Sequence, residues 1–195
     1  MAMRKTVLIA VMLLTTAFAL AQQLERCTLD GFSQTVKNVL IPGYDKACGM
    51  VSSPSFDYLS SIMLYPEKRE LVYRKAKDNF TGQLAEDQIP VETSTMVITD
   101  KQNSALTALF DALIASSRDK EEPKPGEFVS VGLDGETYHF FKEGKAGKCW
   151  SPGEGDNRAK LVFLFREISR YVRNHRPLSD ELIEQVQDLT KKFSR

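Results

Sequence analysis

The sequence is poor in the residues that enzymes most often use as nucleophiles, general bases and metal ligands. It has three cysteines, one tryptophan and only two histidines, His139 and His175, among 195 residues. No H-E-x-x-H, C-x-x-C or G-x-S-x-G motif occurs in the chain. The signatures of zinc proteases, dithiol oxidoreductases and serine hydrolases are therefore missing. We expect no metal site and no cofactor.

The chain also has no excess of charge of one sign. Lysine and arginine together number 26, and aspartate and glutamate together also number 26. A balanced mixture of basic and acidic residues gives no excess of positive charge that would attract nucleic acid or an anionic membrane. Beyond the N-terminus no apolar run approaches the roughly 20 residues that span a bilayer. We expect neither a nucleic-acid-binding protein nor an integral membrane protein.

The N-terminus has the pattern of a secretory signal peptide. Arg4 and Lys5 precede an unbroken apolar run at 7–14, and small residues, Ala19 and Ala21, occupy the −3 and −1 positions of a cleavage site. This pattern is typical of export. We predict cleavage after Ala21, a periplasmic or extracellular location, and a single domain at 22–195, a length that can bury a full hydrophobic core.

Export implies an oxidising compartment, in which disulfides persist. A bridge between Cys27 and Cys48 is the economical prediction, because it closes a local loop and leaves Cys149 as a free thiol. Spacing does not define pairing, so a bridge from Cys149 to either of the other two cysteines stays open.

The pattern of the remaining chain predicts an α+β fold. A small antiparallel sheet includes a hairpin at 128–141, because Asp134-Gly135 separates two apolar-rich runs and favours a type I′ turn. About four helices with apolar stripes and N-caps pack against this sheet. Strands are expected at 58–64, 70–75, 91–99, 128–133 and 136–141, and helices at about 30–41, 101–117, 157–175 and from 180 onwards. Within 56–78, a helix beginning at Pro66 stays open as an alternative to the two strands.

The stretch 143–158, EGKAGKCWSPGEGDNR, could be a phosphate-binding loop, a reactive thiol site or only a connecting loop. Its glycines do not have the spacing of a phosphate-binding P-loop, and Cys149 stands where a P-loop needs serine or threonine. We interpret the stretch as a loop between the hairpin and the long helix. A catalytic alternative uses Cys149 as a thiol nucleophile with His139 as its base, since a thiol needs an adjacent base.

Aromatic residues around this stretch suggest binding. Tyr138 and Phe140 share one face of a strand, and Trp150 follows close behind, either as a packing lid or as an exposed anchor. We expect a non-catalytic binding or interaction module for a protein or glycan partner. Two alternatives stay open: a hydrolase or transferase using Cys149 with His139 or two distant carboxylates, and a structural subunit of an envelope complex.

Overall fold

A seven-stranded antiparallel sheet forms the centre of the protein. The structure is a computed structural model and describes residues 23–78, 89–120 and 134–194. The spatial order of the strands is β1-β7-β6-β2-β3-β4-β5, and every neighbouring pair is antiparallel. The strands are β1 Glu25–Cys27, β2 Cys48–Pro54, β3 Ser60–Tyr65, β4 Glu70–Ala76, β5 Val91–Val97, β6 Glu136–Lys142 and β7 Lys145–Trp150.

Four α-helices pack against the sheet, as the sequence predicts. Each has a capping side chain at its N-terminus: Ser33, Thr99, Asp156 and Ser179 accept a hydrogen bond from a backbone N–H in the first turn. The second helix begins one residue earlier than expected, because Thr99 and Gln102 form a capping box. The helices are α1 Gln34–Leu40, α2 Asp100–Ser116, α3 Asn157–Arg173 and α4 Asp180–Phe193.

Both faces of the sheet are covered, but unequally. Helices α2, α3 and α4 cover one face, where Phe110, Phe140 and Phe165 meet in the larger core. Helix α1 and its flanking segments cover part of the other face, with a smaller core around Met63 and Phe141. Because both faces are buried, Phe140 and Phe141 are both fully buried although they point in opposite directions.

The α+β class and the antiparallel sheet are confirmed. Strands β3, β4, β5 and β6 agree with their predicted positions, whereas β1, β2 and β7 were not predicted. The first half of the predicted 128–141 hairpin lies outside the described residues. Its second half is β6, whose two edges pair with β2 and β7, so no edge of β6 is left for a third strand. The type I′ turn predicted at Asp134-Gly135 is wrong, because Gly135 does not have the positive φ that this turn requires.

The interpretation of residues 145–150 as a loop is wrong. They form β7, which pairs with β6 through a two-residue turn at Glu143-Gly144. Both turn residues have positive φ, 49° and 80°, as a type I′ turn requires. Glutamate is not a favoured residue at this position, so the turn gave no local signal.

The predicted Cys27–Cys48 disulfide is also wrong, because all three cysteines are free thiols. Cys27 lies in β1 and Cys48 in β2, with β7 and β6 between them. Three strand spacings of about 4.8 Å each exceed the roughly 7 Å that a disulfide can bridge between Cα atoms. Cys149 is bonded to neither cysteine.

Within the described part of the chain, none of the helices has the length and apolar character needed to cross a bilayer.

Candidate functional site

An open cavity lies where the sheet meets the N-terminal half of α3. It is an open cleft of about 780 Å³. The end of β2 and the turn after it form one wall, the start of β6 and the loop after β7 form the floor, and α3 forms the other wall. We call it the α3 cleft, lined by Pro54, Ser55, Phe56, Asp57, Gly135, Glu136, Tyr138, Ser151, Pro152, Glu154, Ala159, Val162, Phe163 and Arg166.

The Glu136 carboxylate organises the floor of the α3 cleft. Its Oε2 accepts hydrogen bonds from the Tyr138 hydroxyl and the Arg166 guanidinium, each at 2.6 Å. Its Oε1 accepts a hydrogen bond from the hydroxyl of Ser52, a buried residue of β2. Both carboxylate oxygens therefore have donors, and the charge is paired with Arg166.

Strand pairing positions this network. Ser52 lies directly opposite Tyr138 in the β2–β6 ladder, so the two side chains emerge on the same face. Arg166 then reaches down from α3 and places its guanidinium 5.5 Å from the centre of the Tyr138 ring. Burial, followed by the hydrogen bond to Glu136, raises the pKa of the Tyr138 phenol. The phenol therefore stays protonated and acts as a donor.

Two exposed phenylalanines flank the α3 cleft. Phe56, in the turn after β2, is 86% exposed, and Phe163, on α3, is 61% exposed. A second, smaller cavity of about 450 Å³ between α3 and α4 shares Phe163, Ala159 and Glu154 with the first. Phe163 therefore lies between the two cavities and is accessible from both.

Trp150 lies at the end of β7 and is 48% exposed. It pairs with Thr137, and its indole covers Gly135, where a Cβ atom would come within 2.4 Å of the ring. The side chain is therefore neither a fully buried lid nor a free anchor. Its own atoms do not line the α3 cleft.

The predicted pair of Cys149 and His139 is not brought together. Cys149 pairs with Tyr138 and faces the larger core, whereas His139 faces the opposite side and packs edge-on against Phe32, with 4.9 Å between ring centroids. Burial raises the pKa of the Cys149 thiol to about 12 and lowers that of His139 to about 4. Neither group has the ionisation or the partner that thiol catalysis needs.

The predicted binding residues Tyr138 and Phe140 lie on the same face of β6 but have different surroundings. Phe140 is fully buried and serves the core. Tyr138 is buried except towards the α3 cleft, which its side chain helps to line. The described cleft residues include no histidine and no cysteine, and the residues within the described ranges form no cluster of three metal-ligating side chains.

Sequence reasoning missed Phe56, Phe163, Glu136 and Arg166. A usable signal existed for Phe163, which falls outside the apolar stripe of α3 at Leu161, Leu164, Phe165 and Ile168. An aromatic residue on the polar face of a helix suggests a contact surface. The network around Glu136 has no such signal, because its members come from β2, β6 and α3.

The architecture defines an α+β protein with helices on both faces of an antiparallel sheet. Comparison with protein-family models, with curated proteins and with solved structures found no match to this chain.

Proposed function

We propose that this protein is an exported, non-catalytic binding module, and that the α3 cleft receives an apolar-containing segment of a partner protein. The observation that carries the proposal is the pair of exposed phenylalanines, Phe56 and Phe163, on opposite walls of one cleft. Each ring contributes about 2 kcal/mol when a partner covers it, at about 25 cal/mol per Å² of apolar surface.

A peptide segment fits the polar groups better than a glycan does. Sugar recognition needs side chains with free donors and acceptors next to an aromatic face. In the α3 cleft, Glu136 and Arg166 hydrogen-bond to each other, and Asp57 pairs with Lys75 at 2.7 Å. These pairs satisfy each other, while the phenylalanines supply apolar anchors like those in the hot spots of protein interfaces.

Catalysis has no comparable support. Ser52 donates its hydroxyl to Glu136 and is buried, and both Glu136 oxygens already accept hydrogen bonds. Glu136 is therefore not available as a general base for the Ser52 hydroxyl.

A displayed random-peptide library selected on the purified protein tests the proposal. We expect enriched peptides with an aromatic or aliphatic anchor, whose affinity falls about thirtyfold with Phe163→Ser, equivalent to about 2 kcal/mol. His175→Ser is the control, because His175 is exposed beyond the end of α3 and does not line the cleft. Failure to enrich peptides, or equal loss with both substitutions, contradicts the proposal.

A further inference from the structure

Strand β5 ends the sheet with an edge that has no strand partner among the described residues. It is last in the strand order and pairs only with β4. The opposite end of the sheet is different, because the segment after α2 covers β1: Arg118 exchanges backbone hydrogen bonds with Leu24 and Arg26. A seven-residue edge with no partner in the described ranges is a template for pairing with another strand.

The hydrogen-bond pattern shows which β5 residues direct their backbone N–H and C=O groups away from β4. Ile98 donates to Arg69, and Pro90 accepts from Lys77, so the even-numbered residues bond to β4. Along an antiparallel strand, successive residues direct their backbone hydrogen-bonding groups alternately to one neighbouring strand and to the other. The outward N–H and C=O groups therefore belong to the four odd-numbered residues, Val91, Thr93, Thr95 and Val97.

These four residues form a palindrome. Read in either direction they are valine, threonine, threonine, valine. If a second β5 is related to the first by a twofold axis at Ser94, each valine lies opposite a valine and each threonine opposite a threonine. Val97 would face Val91 of the partner copy, and Thr95 would face Thr93. Pairs of β-branched residues in these positions stabilise antiparallel strands. All four outward residues would exchange backbone hydrogen bonds, eight in total, which is the self-complementarity of an isologous interface.

The charges on β5 favour the same arrangement. Glu92 is its only charged residue, and its carboxylate is held by Arg173 of α3 at 3.1 Å. In the twofold register Glu92 faces Met96 of the other copy, so no like charges oppose each other. No lysine and no proline lies within β5 to block pairing, although such residues commonly protect exposed edges.

We propose that the protein forms a twofold symmetric dimer through antiparallel pairing of β5 with β5 of a second copy, joining two sheets into one of fourteen strands. The α3 cleft involves the other end of α3, so the dimer leaves both clefts open. A single strand pair makes a small interface, and we expect a dissociation constant on the order of ten micromolar.

Sedimentation velocity of the purified protein from about 1 to about 200 μM tests the association. Thr95→Pro removes an outward N–H without touching the β4 ladder, and proline is tolerated on edge strands. We expect it to weaken the dimer at least tenfold while circular dichroism stays unchanged. Thr95→Val, which keeps the N–H and the branched shape, is the matched control and should dimerise like the wild type. A protein that is monomeric over the whole range overturns the proposal.

A cysteine crosslink tests the register and does not depend on how Thr95→Pro folds. Ser94 faces its own copy across the axis, at a Cα separation of about 4.5 Å that suits a disulfide. We expect S94C to form a covalent dimer under mild oxidation. V97C is more exposed but faces position 91, so it should not rise above the wild-type background. Equal crosslinking of both variants contradicts this register.

Discussion

His139 and Cys149 lie on adjacent paired strands, yet their side chains point to opposite faces of the sheet. His139 pairs with Lys148, and Cys149 pairs with Tyr138, so one residue of register separates them. Because side chains alternate along a strand, that one residue places the imidazole beside Phe32 and the thiol in the larger core. The two side chains therefore cannot form the catalytic pair that their proximity in sequence suggested.

The thiols should resist alkylation in the folded protein. Burial raises the pKa of Cys27 to about 11 and those of Cys48 and Cys149 to about 12. A rise of about three units lowers the thiolate fraction at neutral pH about a thousandfold. We expect Cys149 and Cys48 to react with iodoacetamide at pH 7 only after unfolding, with Cys27 reacting first among the three.

Peptide mapping of the alkylated protein without reduction measures this and also reports the N-terminal residue. Rapid labelling of Cys149 in the folded state, or a mapped disulfide, would contradict the structure. A mature N-terminus at Gln22 would support the predicted cleavage after Ala21, and retention of residues 1–21 would contradict it.

Stability should fall on mild acidification because of His139. Its pKa is lowered to about 4 from 6.5 by burial and then by Lys148, and within the described residues its Nδ1 has no hydrogen-bond partner. Above pH 6.5 the imidazole is neutral in both states and contributes nothing. Between pH 6.5 and 4 the unfolded chain takes up a proton that the folded chain does not, so the free energy of unfolding decreases as the pH falls.

Replacement by an apolar ring isolates this effect. We expect the wild type to lose about 2 kcal/mol more than His139→Phe between pH 7 and pH 4, measured by urea unfolding at each pH. His175→Phe is the control, because His175 is exposed beyond the end of α3. Parallel pH profiles for wild type and His139→Phe would show that the imidazole is not buried as described.

Gly49 is required by close contact between strands and not by its backbone angles. A Cβ atom there would lie 2.6 Å from the carbonyl oxygen of Ile62 and 2.9 Å from the Phe141 ring. The carbonyl belongs to the sheet and cannot move away cheaply. We expect Gly49→Ala to lower the free energy of unfolding by about 2 kcal/mol or more, measured by chemical denaturation.

Gly153→Ala is its matched control. A Cβ atom at Gly153 would have no heavy atom within 4 Å, so we expect a change within about 0.5 kcal/mol. Equal effects at the two glycines would argue against the tight packing of β2 between β3 and β6.

The hydrogen bond between Glu136 and Tyr138 should appear as an energetic coupling. Glu136→Gln and Tyr138→Phe each keep the shape of the side chain and remove the charged acceptor or the donor. We expect each to cost about 1 to 2 kcal/mol, and the double variant to show a coupling of about 1 kcal/mol in a double-mutant cycle of urea unfolding. Strict additivity would indicate that the network in the α3 cleft does not form in solution.

Local signals in the sequence predicted all four helices, although the first begins at Gln34 and not at 30, after an N-cap at Ser33. Ser179 caps α4, and Leu178 and Ile183 are both buried beside it, as expected for a hydrophobic staple. Strands β3 and β4 lie where the apolar runs on either side of Pro66 predict them, and the helix that Pro66 also allowed is a single 3-10 turn, Pro66–Lys68. Each of these features depends on contacts within a few positions along the chain.

Strands β2 and β7 have no such local signal in the sequence. Their sequences, CGMVSSP and KAGKCW, combine glycine, serine and lysine with few β-branched residues. They become strands because neighbours on both sides supply backbone hydrogen bonds and cores on both faces bury them.

The sequence by itself determined the α+β class, the apolar stripes of the helices, the caps at Asp156 and Ser179, and the absence of the common catalytic motifs, since these depend on residue type and short spacing. The tertiary structure alone decided which faces Cys149 and His139 occupy, that Cys27 and Cys48 lie too far apart to bond, and that Glu136 meets Arg166 beneath two exposed phenylalanines. Those outcomes depend on strand order and register, which long-range pairing sets across tens of residues.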